Sequence, residues 1–313
     1  MSNKSDINGG LLQGSLQGLK SGLGFSRMES GIKKGSTNGI ASRNKVQDPA
    51  KIHSGKRPFA YWVSDIFPEV ADGTTVGSVA NLAGTATISI GGSPVRRKGC
   101  GNKYFIDFDN SGDVIQTSAT TGTKELTMMM VFRPSSTVVT DTTLFARESS
   151  SITQAGDLFI DITGSNKIAL TFISSSSTTT SLRYESAVLP DYTLTQTVKT
   201  GTNTNDWILL TARFDSTRVG PSPGTAIPTR DIELHINGTK VGLTLVTNTW
   251  SPAAGWNLNL PNVSCFFGND SDGLNPSSSG TQLAAGVVFN YWIDGSDQLR
   301  IENFFRHYYG IRF

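Results

Sequence analysis

Short runs of β-branched and aromatic residues, separated by turn signals, fill the chain from Pro58 to its end. Such runs are typical of strands, because branched and aromatic side chains suit a pleated surface. No regular alternation of strands with helices appears, which argues against a parallel α/β fold. The sequence therefore predicts an all-β, antiparallel fold, with strands at residues 59–63, 85–90, 104–108, 126–132, 144–147, 158–162, 167–173, 207–214, 231–236, 240–246, 263–267 and 286–292.

Three of these segments predict more than a strand. Residues 126–132 are almost continuously apolar, which predicts a central strand covered on both faces. Residues 167–173 alternate between apolar and polar side chains, which is typical of a strand with one buried face. Asn237-Gly238 is a strong two-residue hairpin signal, and it predicts that residues 240–246 pair with residues 231–236.

The C-terminal segment has a different period, which predicts one amphipathic helix over residues 296–309. Asp294 or Ser296 is a suitable N-cap, and Gly310 is a suitable C-terminal stop. The apolar side chains recur at helical spacing; they are Leu299, Ile301, Phe304, Phe305 and Tyr308.

Several of these segments, in this order, resemble the laminin G-like or concanavalin A-like domains found in bacteriophage virion proteins and bacterial surface proteins. The segments are FAYWVSD at 59–65, YFIDFDNSGD at 104–113, LTMMMVFR at 126–133, DWILLTARFD at 206–215, IELHING at 232–238 and LRIENFFRHYYGI at 299–311. The resemblance covers residues 58–313. It implies a concanavalin A-like antiparallel β-sandwich, or jelly roll, and a bacteriophage virion structural protein of the capsid decoration, tail or baseplate. Such a protein would be located in the virion, assembled in the host cytoplasm.

Residues 1–57 lie outside this resemblance and differ in composition. They hold ten basic and three acidic residues, a formal charge of +7, whereas the remaining residues carry −5. With ten glycines and one aromatic residue, this segment cannot bury enough apolar surface to fold alone. The sequence predicts a docking arm that contacts other virion proteins and copies of the same chain; a solvated linker and a nucleic-acid tail are the alternatives. The predicted contact residues are Leu12, Leu16, Leu19, Leu23, Phe25, Arg27, Lys33 and Lys34.

Membrane and redox roles find little support in the sequence. No run of about 18 apolar residues occurs, so we expect no membrane span. The N-terminus lacks the charged-then-apolar pattern of a secretory signal, so we expect no export by a cleaved signal. Cys265 lies in an apolar run and is expected to be a buried free thiol, whereas Cys100 is expected in a loop.

We expect no enzymatic activity, because no catalytic constellation is present. Asp157 and Asp161 share one strand face, but the Glu-rich pattern of a glycosidase is missing. His53, His235 and His307 lie in unrelated contexts without a nucleophile motif. We interpret the acids as paired surface residues and the histidines as surface or packing residues.

Two binding hypotheses remain open at this point. Calcium is the one cofactor that the sequence suggests, through oxygen-rich loops that are equally typical of ordinary turns; the acids are Asp107, Asp109, Asp113, Asp270 and Asp272. Trp250 and Trp256 lie in a loop rich in Pro, Gly and Asn and could stack on a sugar or close the end of the sandwich. Carbohydrate binding to host-surface glycans is therefore the alternative function.

Overall fold

The computed structural model describes residues 46–52, 57–66, 72–100, 103–108, 112–119, 122–134, 141–149, 156–173, 181–188, 207–217, 231–249, 258, 262–269 and 281–311. Contacts divide the chain into two units, 1–45 and 46–313, and every described residue belongs to the second unit. The predicted docking arm up to residue 45 therefore lies outside the described residues and stays a prediction.

The second unit is a sandwich of two antiparallel sheets, which confirms the predicted all-β fold. Sheet 1 has the order β13-β12-β11-β6-β16-β4-β3, with β1 also paired to β16. Its strands are Ala60–Val63 (β1), Val95–Cys100 (β3), Lys103–Phe108 (β4), Glu125–Arg133 (β6), Ile208–Asp215 (β11), Ile232–Ile236 (β12), Thr239–Val241 (β13) and Thr281–Phe289 (β16).

Sheet 2 faces sheet 1 and has the order β14-β10-β9-β8-β7-β15-β5-β2. Every described pair of neighbouring strands in it is antiparallel. Its strands are Ile88–Gly91 (β2), Val114–Thr117 (β5), Thr142–Ser149 (β7), Leu158–Ile162 (β8), Ile168–Ile173 (β9), Ser181–Ser186 (β10), Leu243–Asn248 (β14) and Val263–Phe267 (β15).

Aromatic side chains fill the space between the sheets. Trp62 of sheet 1 contacts Phe267 of sheet 2 edge to face, with ring centroids 5.6 Å apart. This contact requires Gly286, because a Cβ there would lie 2.6 Å from Trp62 Nε1 and 2.7 Å from Phe267 Cε1. Phe172 and Phe214 form a second pair across the sheets at 5.7 Å. Such pairs add to the hydrophobic free energy of a closely packed core.

The outer face of sheet 1 is covered by the C-terminal helix α1, Gly295–Tyr309. Phe305 contacts Tyr61 of β1, and Tyr309 donates a hydrogen bond to the carbonyl of Ala284. Asp294 is the N-cap, and Gly310 ends the helix with a φ of 65°. The predicted helix at 296–309 is thus confirmed with one additional residue at its start, and β6 has the predicted central position.

Residues 46–52 also pack in this unit, beside helix α1. The backbone N–H of Gln47 donates to the carbonyl of Arg300 at 3.2 Å, and Pro49 and Ile52 are buried. A short 3₁₀ turn, Pro49–Lys51, is capped by the side chain of Asp48. The predicted boundary at residue 57 stays a prediction, but these residues contribute to the core of the sandwich unit.

Several strand predictions needed correction. Residues 240–246 do not form one strand: β13 ends at Val241, and β14 starts at Leu243 in the other sheet. The predicted strands at 85–90 and 286–292 are shifted to β2 and β16. β3, β5 and β10 were missed, because β3 is basic and β5 and β10 are short and polar on one face. Cys100 ends β3 instead of lying in a loop.

Candidate functional site

Most of the predicted site residues lie outside the described residues. These are the eight arm residues Leu12, Leu16, Leu19, Leu23, Phe25, Arg27, Lys33 and Lys34, both tryptophans Trp250 and Trp256, and the acids Asp109, Asp270 and Asp272. Their predicted roles in assembly, glycan contact and calcium binding stay predictions.

The two described calcium candidates have protein partners. Asp107 of β4 lies 3.8 Å from Arg97 Nε. Asp113 is fully buried, and its Oδ1 accepts a hydrogen bond from the backbone N–H of Ser93 at 2.8 Å. Within the described ranges, no three His, Cys, Asp or Glu side chains come together in a way that could hold a metal. The structure therefore assigns these two acids roles in a surface ion pair and a turn.

Asp157, just before β8, and Asp161, within it, were predicted to be paired surface residues, and this prediction was wrong because both are buried. Asp157 is fully buried, and its Oδ1 accepts the backbone N–H of Ser149 at 3.1 Å. Asp161 accepts a hydrogen bond from the hydroxyl of Thr143 at 3.0 Å. Each carboxylate thus accepts a hydrogen bond from the neighbouring strand β7, which is a structural role and differs from that of a catalytic carboxylate pair.

An unexpected buried arginine lies at one end of the core. Arg147 of β7 faces the inter-sheet space, directly opposite Cys265 of β15, and is only 1% exposed. Its Nη1 donates to the carbonyl of Leu258 at 2.8 Å. Burial lowers the pKa of the Arg147 guanidinium, and the neighbouring Cys265 and Asp157 oppose this shift. Burial also raises the pKa of the Cys265 thiol to about 11. Cys265 is a buried free thiol, as predicted.

Leu258 is held on both sides of its peptide backbone. The Ser216 hydroxyl oxygen accepts the backbone N–H of Leu258 at 3.0 Å and donates to the carbonyl of Lys124 at 2.8 Å. The Leu258 side chain is buried in the core. We call Arg147, Ser216 and Leu258 the Leu258 clamp. This clamp fixes the chain two residues after Trp256.

The same stretch of chain is also fixed before Trp250. The backbone N–H of Thr249 donates to the carbonyl of Ser181 at 3.0 Å, and the Ser181 N–H donates to the Thr249 hydroxyl at 2.9 Å. Thr249 and Leu258, the described residues on either side of the segment with Trp250 and Trp256, are thus both held by hydrogen bonds.

A second polar group lies on the outer face of sheet 1. Arg213 of β11 forms an ion pair with Glu233 of β12, and it also donates to the carbonyl of Ile293 at 3.0 Å. Lys240 of β13 lies 2.8 Å from Glu233, and His235 Nε2 lies 3.4 Å from it. Desolvation would raise the pKa of Glu233, but hydrogen bonds from Lys240 and Arg213 outweigh it and lower the pKa to about 2.

Trp292 completes this group, which we call the hairpin–helix cluster: Arg213, Glu233, His235, Lys240 and Trp292. The Arg213 guanidinium carbon lies 4.5 Å from the centroid of the Trp292 ring, and Trp292 is half-buried. The cluster is bounded by helix α1, whose Glu302 accepts hydrogen bonds from Thr211 and Gln298, both at 2.8 Å.

Sequence reasoning missed both arginines as site residues. A usable signal existed for Arg147, because it follows Phe145 at a spacing of two and therefore occupies a core position of its strand. The same alternation places Arg213 on the outer face together with Thr211, opposite Glu233 of β12 and Thr127 of β6. The backbone carbonyls to which these arginines donate are 111 and 80 residues away in sequence, so no local pattern could have named them.

No protein-family model matches the sequence, and no curated protein matches it. Similar solved structures include the receptor-binding domain of botulinum neurotoxin C/D mosaic serotype (TM-score 0.47, 11% identity, 79% of this chain and 50% of that chain). They also include the binding domain of Paraclostridial Mosquitocidal Protein 1 (0.48, 9%, 79% and 51%). A third concerns cell entry of botulinum neurotoxin type C and its interaction with two ganglioside molecules (0.46, 11%, 74% and 51%). The chain spans about half the length of these structures, and likeness at this level assigns it no family and no ligand.

Among the described residues, no helix is both long and apolar enough to cross a membrane.

Proposed function

We propose that this protein is a non-catalytic carbohydrate-recognition module that binds glycans through the loop between Thr249 and Leu258. The observation that carries the proposal is the Leu258 clamp, in which a fully buried arginine and a buried serine hold one residue beside the Trp-bearing loop. Burying an arginine without a carboxylate hydrogen-bonded to it costs stability. A requirement to hold this loop in place accounts for that cost.

Anchoring of a loop matters for sugar recognition because a weakly bound ligand gains too little free energy to offset the entropy lost when the loop becomes ordered. An aromatic ring held in place before binding loses little freedom when a sugar stacks on it. Tryptophan offers a large apolar face and one N–H donor, a combination that suits a pyranose ring. The proposal is supported by the hydrogen bonds that hold the two ends of the segment, at Thr249 and at the Leu258 clamp.

The absence of catalysis is part of the same proposal. Asp157 and Asp161, the acids spaced for one strand face, each accept a hydrogen bond from a neighbouring strand and are buried. His235 contacts Glu233, and His307 contacts the carbonyl of Asn303 in its own helix. These four side chains have structural partners, so we infer a binding protein and no reaction.

A glycan array probed with the full-length protein tests the proposal. We expect a saturable signal that falls strongly in Trp250→Ala or Trp256→Ala and that persists in Val246→Ala, an exposed residue on the adjacent strand β14. Binding that survives both tryptophan substitutions would overturn the loop as the site. Polysaccharide hydrolysis that disappears in Asp157→Asn or Asp161→Asn would overturn the non-catalytic proposal.

A virion structural role is the second candidate, and the charge separation in the chain favours it. Residues 1–57 carry +7 and the remainder −5, so an arm of one subunit would be attracted to the sandwich of a neighbouring one. In this proposal the arm docks the sandwich onto a capsid, tail or baseplate, where the sandwich displays its loops.

Light scattering and amide exchange on the full-length protein test the arm. Free exchange of residues 1–45 in a monomer, together with protection in a purified assembly, would support a docking arm. Free exchange in both states would leave the arm as a solvated linker and contradict the structural role.

A further inference from the structure

We propose that the hairpin–helix cluster is a second carbohydrate site, which binds a neutral sugar on the outer face of sheet 1. This site lies on the opposite face of β11 from the inter-sheet core that holds the Leu258 clamp. It uses none of the residues of the Thr249–Leu258 loop, so it goes beyond the function proposed above and can be tested separately.

Trp292 supplies the apolar face that a sugar requires. Its backbone N–H donates to Glu125 at 3.2 Å, and the N–H of the next residue, Ile293, donates to the Thr127 hydroxyl at 3.2 Å. Arg213 stacks on the indole ring and donates to the Ile293 carbonyl. Trp292 is thus held in position and is only half-buried, and a sugar could stack on the indole surface that stays accessible.

The charges of the cluster favour a neutral ligand. Arg213 and Lys240 are positive, and Glu233, the adjacent Glu302 and Glu125 at the Trp292 backbone are negative, so the site presents both signs. A phosphate or carboxylate ligand would be repelled by these glutamates, and a cation by Arg213 and Lys240. Hydroxyl groups can accept from the cations and donate to the carboxylates, so a polyol satisfies both.

Three buried polar atoms in and beside the cluster lack a hydrogen-bond partner in the described structure. They are Arg213 Nε, His235 Nδ1 and Gln298 Oε1. Gln298 is only 4% exposed, and its Nε2 donates to Glu302, which places its oxygen beside the Thr211–Glu302 bond. Buried polar groups in native proteins are nearly always paired. A sugar hydroxyl can both donate and accept, so it is a group that could pair with an unpaired donor such as Arg213 Nε or an unpaired acceptor such as Gln298 Oε1.

Lys240 is the side chain that controls access. It lies directly opposite His235 in the strand register, and its ammonium group lies 2.8 Å from Glu233 Oε1, so its side chain lies beside both groups. Its side chain is 54% exposed. An exposed ion pair of this kind contributes little stability. A sugar can therefore displace the Lys240 ammonium group and reach Glu233 and His235.

The test is a titration of isotope-labelled full-length protein, followed by the NMR signals of the Trp292 indole and the His235 imidazole. The probes are glucose, galactose, mannose, N-acetylglucosamine and their disaccharides at millimolar concentration, with sorbitol as the control for non-specific effects. We expect saturable shifts with at least one sugar. We also expect about tenfold weaker binding in Trp292→Leu and unchanged binding in Trp250→Ala.

A second variant protects the test against misfolding of Trp292→Leu. Gln298→Leu keeps the side-chain size and removes the unpaired oxygen. It should therefore weaken sugar binding without changing the circular dichroism spectrum. Three outcomes would overturn the proposal: shifts that are absent for every sugar, shifts that rise linearly as with sorbitol, and shifts that are lost only in Trp250→Ala or Trp256→Ala. The unpaired atoms of the cluster would then bind an ordered water only. The last of these outcomes would leave the loop site standing, so the two proposals fail separately.

Discussion

Arg147 and Arg213 are both buried, but they lie in regions of opposite design. Arg147 faces the apolar space between the sheets and donates a hydrogen bond to a backbone carbonyl. Arg213 faces outward beneath the start of helix α1, where Glu233 pairs with it and Trp292 stacks on it. The core arginine binds the backbone of Leu258 and has a pKa lowered by burial, whereas the outer arginine belongs to a network of opposite charges. The comparison teaches that a buried charge is stabilised by what surrounds it, not by burial itself.

The largest difference should appear when Arg213 loses its partner. Glu233→Ala leaves a desolvated guanidinium without its carboxylate, and we expect a loss of about 3 kcal/mol in the free energy of unfolding. Urea denaturation measures it. The double variant Arg213→Met with Glu233→Ala should recover a large part of this loss, because no unpaired charge remains. If both variants are equally unstable, the network acts through packing and the contrast with Arg147 fails.

Acid should expose the same network. The pKa of Glu233 is lowered from 4.5 to about 2 in the folded protein. The folded state therefore gains stability from Glu233 at pH above 4.5, and it loses this contribution as the pH falls through about 2. The free energy of unfolding, measured by denaturation at several pH values in this window, should depend less on pH in Glu233→Gln than in the native protein. Identical slopes in the two proteins would contradict the assignment.

Removal of the core arginine should cost less. Arg147→Met leaves the Leu258 carbonyl unpaired but also removes a buried charge, so we expect a loss of about 1.5 kcal/mol. Amide exchange at residues 250–258 should rise more than exchange in β6. Uniform acceleration across both regions would show that Arg147 stabilises the whole core instead of the loop.

The other half of the Leu258 clamp should have a smaller effect. Ser216→Ala removes an acceptor for the Leu258 N–H and a donor to the Lys124 carbonyl, and we expect about 1 kcal/mol. Fluorescence anisotropy of the loop tryptophans and exchange of the Leu258 amide provide the measurement. Thr217→Ala, one residue further along the chain, is the matched control and should leave the Leu258 amide protected.

The smallest effect should come from Lys240. Its ion pair with Glu233 is exposed, so Lys240→Ala should change the free energy of unfolding by about 0.5 kcal/mol or less. Thermal denaturation at low and high salt measures this difference. A loss as large as that of Glu233→Ala would show that the stability of the outer network depends on Lys240. It would also exclude the displacement of the Lys240 ammonium group by a sugar.

The turn, helix and central-strand predictions succeeded where the physical cause is local. Asn237 and Gly238 have φ values of 52° and 78°, as the hairpin signal required. Asp294 and Gly310 act as the helix caps because their own side chain or backbone freedom suits those positions. The continuous apolar run around Met129 is buried on both faces, because sheet and helix cover it.

The same local rules failed where a distant neighbour decides the outcome. Residues 240–246 look like one strand, but β13 pairs with β12 whereas β14 pairs with β10 of the other sheet. The basic strand β3 forms because β4 offers a pairing edge, although its own side chains give little strand signal. Alternation from Phe145 places Arg147 on the core face of its strand, but only the fold shows that the carbonyl of Leu258 is its partner.

The sequence by itself determined the strand-rich composition, the alternation of faces, the hairpin turn, the final helix and the charge separation between residues 1–57 and the rest. These properties depend on neighbours within a few residues, where backbone geometry and side-chain spacing decide the structure. Only the tertiary structure decided which strands share a sheet, that position 286 requires glycine, and which carbonyl or carboxylate accepts the hydrogen bonds of each buried arginine. Those contacts join residues far apart in the chain, and their free energy depends on a burial that exists only after the two sheets and the helix have packed together.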